Sequence, residues 1–206
     1  MNYYIRPMQA ADINQVKEID LEAFPTLKNG TSFKNELRND IARYFVIYQE
    51  DNTNGDKHDQ TPHNSLITRV KEFLVGPAPT KDHIAGFAGM WFMADEAHLI
   101  TIAVRKSQQG LGLGQSLLMA VINTALRSKA SMVTLEVRAS NLAAQSLYAK
   151  YGFKETGYRK NYYSDTKENA LIMTADDIYS QQFTDNLGQL KKELDDKIAI
   201  ILEHLF

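Results

Sequence analysis

The sequence predicts an α/β protein of the α+β type, and three observations carry that reading. Short runs rich in β-branched and aromatic residues read as strands, the clearest being residues 43–48 (RYFVIY). Other stretches place apolar residues every three or four positions, as one face of a helix requires. At residues 104–118 (VRKSQQGLGLGQSLL) a strand passes through three alternating glycines into a long helix.

Taken in order, residues 3–6 alternate like a short strand and stop at Pro7. Over residues 10–24, Ile13, Val16, Ile19 and Ala23 recur at helical spacing, with Asp12 near the start and Pro25 as the breaker. Residues 33–41 read as a second short helix, followed by the strand at 43–48. The composition then changes. Residues 49–65 are almost wholly polar and read as an exposed loop, after which Leu66, Val70, Phe73 and Leu74 line one helix face until Gly76, Pro77 and Pro79 end it. Residues 49–81 thus read as an insertion into a strand–strand connection.

Residues 84–92 and 97–104 are two apolar strands joined through Asp95 and Glu96, with no helix between them. Leu117, Leu118, Val121, Ile122 and Ala125 share one face of a strong helix over 113–128, and 132–137 is a strand. Asn141 is placed to cap a helix reaching Tyr151, with Gly152 at its left-handed stop. Residues 153–163 and 170–174 are the last strands. Beyond them Leu187, Leu190, Leu194, Ile198, Ile201 and Leu205 step by three or four residues. That stripe either packs on the chain's own core or forms the heptad-like seam of a homodimer. The expected organisation is a domain over 1–175 and a C-terminal amphipathic helical extension over 176–206.

Composition narrows the function. With 206 residues, 44% hydrophobic and 23% charged, the chain matches an ordinary globular protein with a substantial core. A net charge of -2 supplies no basic field for nucleic acid. The absence of cysteine removes disulfides, cysteine nucleophiles and thiolate metal sites. Residues 84–94 form the longest apolar run, which is too short for a membrane span, and the N-terminal residues carry no apolar core of leader length. A cytoplasmic protein is expected. His58 and His63 fall in the polar loop without a fixed frame, so no metal is expected.

The glycines carry the strongest chemical signal. Gly110, Gly112 and Gly114 let the backbone turn tightly and approach a ligand without a Cβ in the way. The first N–H groups of the following helix lack internal partners, and its dipole favours negative charge, so the turn suits a pyrophosphate. Two familiar nucleotide sites are set aside. Gln115-Ser116 stands where the phosphate-loop pattern needs Lys-Ser/Thr, and the glycines fall at every second residue rather than as Gly-x-Gly-x-x-Gly in a βαβ unit.

Gln109-Gly110-Leu111-Gly112-Leu113-Gly114 resembles the Gln/Arg-x-x-Gly-x-Gly/Ala signature of the GNAT acetyltransferase superfamily. Three further stretches resemble its bacterial ribosomal-protein-alanine N-acetyltransferases: Glu96-Ala97-His98-Leu99 leading to Ile102-Ala103-Val104, LEVRASNLAAQSLYAKYGF from Leu135, and YRKNYYSDTKENALIM from Tyr158. The likeness runs from about Ala85 to Met173; it fades over the N-terminal helices and is absent from the insertion and the tail. It implies a mixed, mostly antiparallel sheet whose two central strands splay to admit acetyl-CoA. By that likeness the backbone of Ile102, Ala103 and Val104 would pair with the pantetheine arm and acetyl carbonyl. Residues Gly110 to Gln115, with Leu111 and Leu113 among them, would hold the pyrophosphate, and Asn141 would touch the cofactor. Phe24-Pro25 is followed by Thr26-Leu27, so the family's tryptophan after that pair is missing.

Glu136 interrupts a strand that should be largely buried, where a charge needs a partner or a task. It is either ion-paired with Arg138 or a general base that takes the acceptor's proton, and the family pattern places a glutamate here. Tyr148 is either core packing on the Asn141 helix or the general acid that protonates the departing thiolate, as the family implies. Glu96 and His98 are alternative bases. An α-amine near pKa 7.8 is roughly 15% neutral at pH 7, against about 0.04% for a lysine, so a lone glutamate leans toward a terminal α-amine. The expected acceptor is a ribosomal or other protein N-terminus, with Tyr162, Tyr163 and residues 24–28 as its wall. A small amine or polyamine, and a catalytically weak CoA-binding module that assembles through its tail, are the alternatives.

Overall fold

The computed structural model describes residues 2–26, 31–50, 80 and 82–202. In chain order these form β1 (Tyr3–Pro7), α1 (Ile13–Ala23) entered through a 3-10 turn at Ala10–Asp12, α2 (Phe33–Glu36) and β2 (Ala42–Gln49). There follow β3 (His83–Met93), β4 (Glu96–Val104), α3 (Leu113–Arg127), β5 (Met132–Arg138) and α4 (Leu142–Lys150). The chain then adds β6 (Lys154–Tyr163), β7 (Glu168–Ala175), α5 (Gln181–Asp195) and β8 (Ile200–Leu202). Most of the predicted insertion and its helix face at Leu66–Leu74 lie outside the described residues, as do His58, His63, Leu27, Lys28 and Leu205. Among the described residues no helix is long and apolar enough to cross a membrane.

The strands make one sheet in the order β6-β7-β5-β4-β3-β2-β1-β8. It is mostly antiparallel; β4–β5 and β1–β8 are the parallel pairs. Alternating side chains give each strand two faces. One face packs under α3, α4 and α5 through Ala97, Leu99, Leu117, Val121, Leu135, Val137, Tyr148, Leu190 and Leu194. The other packs under α1 and α2 through Val16, Ile19, Phe33, Tyr44, Val46, Phe87 and Ala103.

The central strands splay. β4 and β5 pair only from Glu96–Met132 to Leu99–Leu135, and no β5 partner remains for Ile100 onward. On the other side, Met90 faces Leu99 while Gly89 faces Thr101, so Ile100 is left without a partner in β3, a bulge that bends β4 away. β5 continues through Glu136 to Arg138 against β7 alone.

Caps fall where the sequence places them. Asn141 Oδ1 accepts the Ala144 N–H at 3.1 Å, and Gly152 takes φ 87° at the end of α4. Two expectations need correction. The second helix stops at Glu36 instead of reaching Ile41, because Asn39 offers its Oδ1 to the Ile41 N–H at 3.3 Å and its carbonyl to Ala42, turning the chain into β2. The apolar stripe of the tail is not one helix. Leu190 and Leu194 are buried in the chain's own core, but past Asp195 the β-branched run turns to strand, with Tyr4 facing Ile201 at the free edge of β1.

Candidate active site

The splay leaves main-chain groups of β4 facing a gap. Arg105 N–H bonds to Ala85 of β3, so by alternation Ala103 also faces β3 while Ile102 and Val104 turn their peptide groups toward β5. Gln109 Nε2 donates to the Val104 carbonyl at 3.2 Å, fastening the glycine turn to the end of the strand.

In that turn Gly110 (φ 82°) and Gly112 (φ 91°) occupy the left-handed region, and Gly112 is the N-cap of α3. The first helical bond runs from Ser116 N–H to the Gly112 carbonyl, which leaves the N–H groups of Leu113, Gly114 and Gln115 outside the ladder at the positive end of a 15-residue helix. Leu111 is exposed at the tip and Leu113 is buried beneath. A Cβ on Gly112 would stand 2.9 Å from Leu194 Cδ1, so α5 packs directly behind the turn. Asn141 lies across the gap at the start of α4, its side chain spent on its cap.

On the opposite face Glu136 is engaged twice. Oε2 lies 2.5 Å from His98 Nε2 on β4, and Oε1 accepts Arg159 Nε of β6 at 2.9 Å. The hydrogen bond to His98, then the charges of His98 and Arg159, hold the carboxyl below the ordinary range against the opposing effect of burial. Arg138 is not its partner. That guanidinium bonds Asp165 at 2.7 Å and Glu168 at 3.3 Å and lies over the Tyr163 ring at 3.9 Å. Asp165 also accepts the Thr26 hydroxyl, so the end of the α1 loop meets the β6–β7 turn over this face, beside Tyr162 and Tyr163.

Tyr148 is 6% exposed on α4, stacked at a tilt on Phe153 at 5.8 Å. Burial, reinforced by Tyr163, pushes its phenol far above the usual value. Glu96 sits at the hairpin end opposite Met132, four residues along β5 from Glu136, or roughly 13 Å at about 3.3 Å per residue. It is apart from the cluster that joins His98 to Glu136. Arg159 was missed because it carries no local signal; only the strand register brings it to Glu136.

These features coincide with a known family. The Acetyltransferase (GNAT) family matches residues 34–153. The chain belongs to it. A Bacillus subtilis protein provisionally named a ribosomal protein bS18-alanine N-acetyltransferase is 32% identical over 170 residues, 82% of this chain and 92% of that protein. The Escherichia coli ribosomal protein bS18-alanine N-acetyltransferase is 44% identical over 92 residues, 44% of this chain and 62% of that one. A crystal structure of the E. coli ribosomal-protein-S18-alanine N-acetyltransferase superposes with TM-score 0.62 at 27% identity, covering 85% of this chain and 94% of that one. This GNAT chain is therefore an acyltransferase on the mixed, mostly antiparallel fold expected from its sequence.

Proposed function

We propose that this GNAT chain moves the acetyl group of acetyl-CoA to a protein N-terminal α-amine, with Glu136 as general base and Tyr148 as general acid. One observation carries the reading: β4 and β5 part just where Glu136 faces one side and Tyr148 the other, and β4 then runs into the glycine turn. The residues present fit the cofactor. Ile102 offers its peptide groups and Val104 its N–H on an open strand edge, the Val104 carbonyl being taken by Gln109, and Gly110 to Gln115 offer main-chain N–H groups to a pyrophosphate. When bound, acetyl-CoA supplies an activated thioester carbonyl.

The chain's own residues then manage protons. Glu136 is ionised at neutral pH, and the same contacts that keep it so reduce its affinity for a proton. It therefore works as a pair with His98, whose imidazole lies on the same hydrogen bond, while Arg159 fixes the carboxylate's other oxygen. An α-amine, already partly neutral at pH 7, asks no more of this pair than that. Burial keeps the proton on Tyr148 at neutral pH, so the phenol has one to give to a departing thiolate, and the same burial makes it a weaker acid than a free phenol. The naming of the B. subtilis and E. coli relatives for alanine N-acetylation of a ribosomal protein supports an N-terminal acceptor.

The test is release of free CoA thiol with N-terminal peptides, lysine analogues and polyamines. Peptides should turn over fastest; a preference for lysine side chains would overturn the assignment. Tyr148→Phe should lower kcat about 100-fold or more at every pH. A variant with wild-type kcat would remove Tyr148 from the reaction.

A further inference from the structure

Beside the Glu136 cluster the edge strand β6 is irregular. Its register with β7 runs as far as Arg159 facing Ala170 and resumes with Tyr163 facing Glu168, so residues 160–162 stand against Asn169 alone. Asn161 takes φ 51°, and its N–H goes to Asn169 Oδ1 at 3.0 Å in place of a ladder bond. A bulge of this kind re-aims the side chains around it. Here Arg159 reaches across β7 to Glu136 on β5, and its Cζ lies 5.7 Å from the centroid of the Tyr162 ring.

The arrangement leaves the proposed base nearly covered. A carboxylate oxygen can accept a second bond, but only 9% of the Glu136 side chain is exposed, with His98 at one oxygen and Arg159 at the other. The two partners differ in their hold. His98 is 14% exposed on an inner strand, between Trp91 of β3 and Thr134 of β5. Arg159 is 54% exposed on the edge, and among the described residues its guanidinium makes no hydrogen bond other than the one to Glu136. An ion pair with so exposed a member opens easily, and the Tyr162 ring offers the cation a second seat on the same strand.

An acceptor nitrogen that approaches Glu136 therefore meets Arg159 first. A positively charged amine can take over the oxygen that the guanidinium leaves, charge for charge. Water cannot make the same exchange. It would leave a nearly buried carboxylate without the cation on that side, which is unfavourable. The swap separates amines from water at the point where the two compete for the base.

We propose that Arg159 is a positioning residue that gates Glu136: it covers the carboxylate until the ammonium of an acceptor moves it onto Tyr162, and so keeps water from the thioester while no acceptor is present. The inference rests on the acetyl-transfer reading above. Without the gate, water takes the acceptor's place. It loses one proton to Glu136 and its oxygen bonds the acetyl carbon as the carbon–sulfur bond breaks. The products are acetate, the thiol with a proton from Tyr148, and one proton released to solvent.

The test uses the full chain and two readouts. The first is release of free CoA thiol from acetyl-CoA, with and without a peptide beginning with alanine. Arg159→Ala should raise acceptor-free release at least about tenfold, within what an uncovered general base supplies. It should also lower the acceptor KM about two- to fivefold, as opening one part-exposed ion pair implies. Arg159→Lys keeps the charge but not the planar fork, and should fall between. Adding Glu136→Gln to Arg159→Ala should return the release to the wild-type rate or below.

The second readout needs no turnover. The Nε–H resonance of Arg159, identified by its loss in Arg159→Lys, should be sheltered from exchange with water in the free chain. It should lose that shelter when the peptide binds the chain saturated with CoA. Acceptor-free release that does not rise in Arg159→Ala, or a resonance that the bound peptide leaves unchanged, overturns the gate and leaves N-terminal acetylation standing. Release that rises and then survives Glu136→Gln overturns it as well, because water would be reacting without that base. Should Arg159→Ala unfold, the lysine variant and the wild-type resonance decide by the same outcomes. A wild type that transfers acetyl to no amine overturns the acetyl-transfer reading and the gate together.

Discussion

The two sides of the opened sheet are made of different materials. On the proposed cofactor side the candidate site is main chain: the free edge of β4, the left-handed turn at Gly110 and Gly112, and the N–H groups outside the helix ladder that begin α3. On the proposed acceptor side it is side chains: His98, Glu136 and Arg159 in one cluster, Arg138, Asp165 and Tyr163 in the next. A main-chain site is written in consecutive residues that lack side chains. A side-chain site is assembled from residues 23 and 38 positions apart by strand register. The first kind changes by strain, the second by loss of a functional group.

The sharpest way to break this division is Glu136→Gln. If the acceptor side acts on its own, kcat should fall at least about 100-fold, within the range for loss of a general base. The thermal shift produced by CoA should stay as in the wild type. Equal loss of both would show that Glu136 holds β5 in place for the cofactor as well, and the two sides would then be one unit.

A smaller effect should separate two glycines within the cofactor side. An alanine at 110 meets open space and carries only the left-handed conformation, which costs about 1–2 kcal/mol. At 112 it carries that cost and also presses on Leu194 of α5. Calorimetric CoA affinity should therefore fall more in Gly112→Ala than in Gly110→Ala, with about tenfold as the scale for strain of this size. Equal losses would mean that α5 yields freely and does not brace the turn.

This division also explains what could be read from the sequence. The glycine turn, the Asn141 cap, the Gly152 stop and the face of α3 are local facts of propensity and spacing, and each stands where expected. The splay followed from resemblance alone. Glu136 was legible as a misplaced charge, but its partners were not: Arg138, two residues away, was the nearest cation, and cross-strand geometry chose His98 and Arg159 instead. The tail misled for the same reason. Ile198 and Ile201 fit a helical stripe, while the edge of β1, which draws residues 200–202 into a strand, lies almost two hundred residues earlier.

The smallest expected effect lies where the acceptor side is stapled shut. Asp165 accepts the Thr26 hydroxyl and the Arg138 guanidinium; the first of these, then the second, bring its carboxyl down to about 2 from its ordinary 3.8. A carboxyl depressed in the folded state adds stability above its unfolded value and loses it as pH falls through the folded one. The contribution should thus be complete above about pH 4 and gone near pH 2. Melting temperatures of the wild type and Asp165→Asn should differ by a constant amount from pH 4 upward and converge below it. CoA affinity should be the same in both, because the staple joins side chains on the face away from the glycine turn. A gap that persists at pH 2 would place the origin of the difference elsewhere than in this carboxylate. A change in CoA affinity would mean that strain on the acceptor side reaches the main chain of β4.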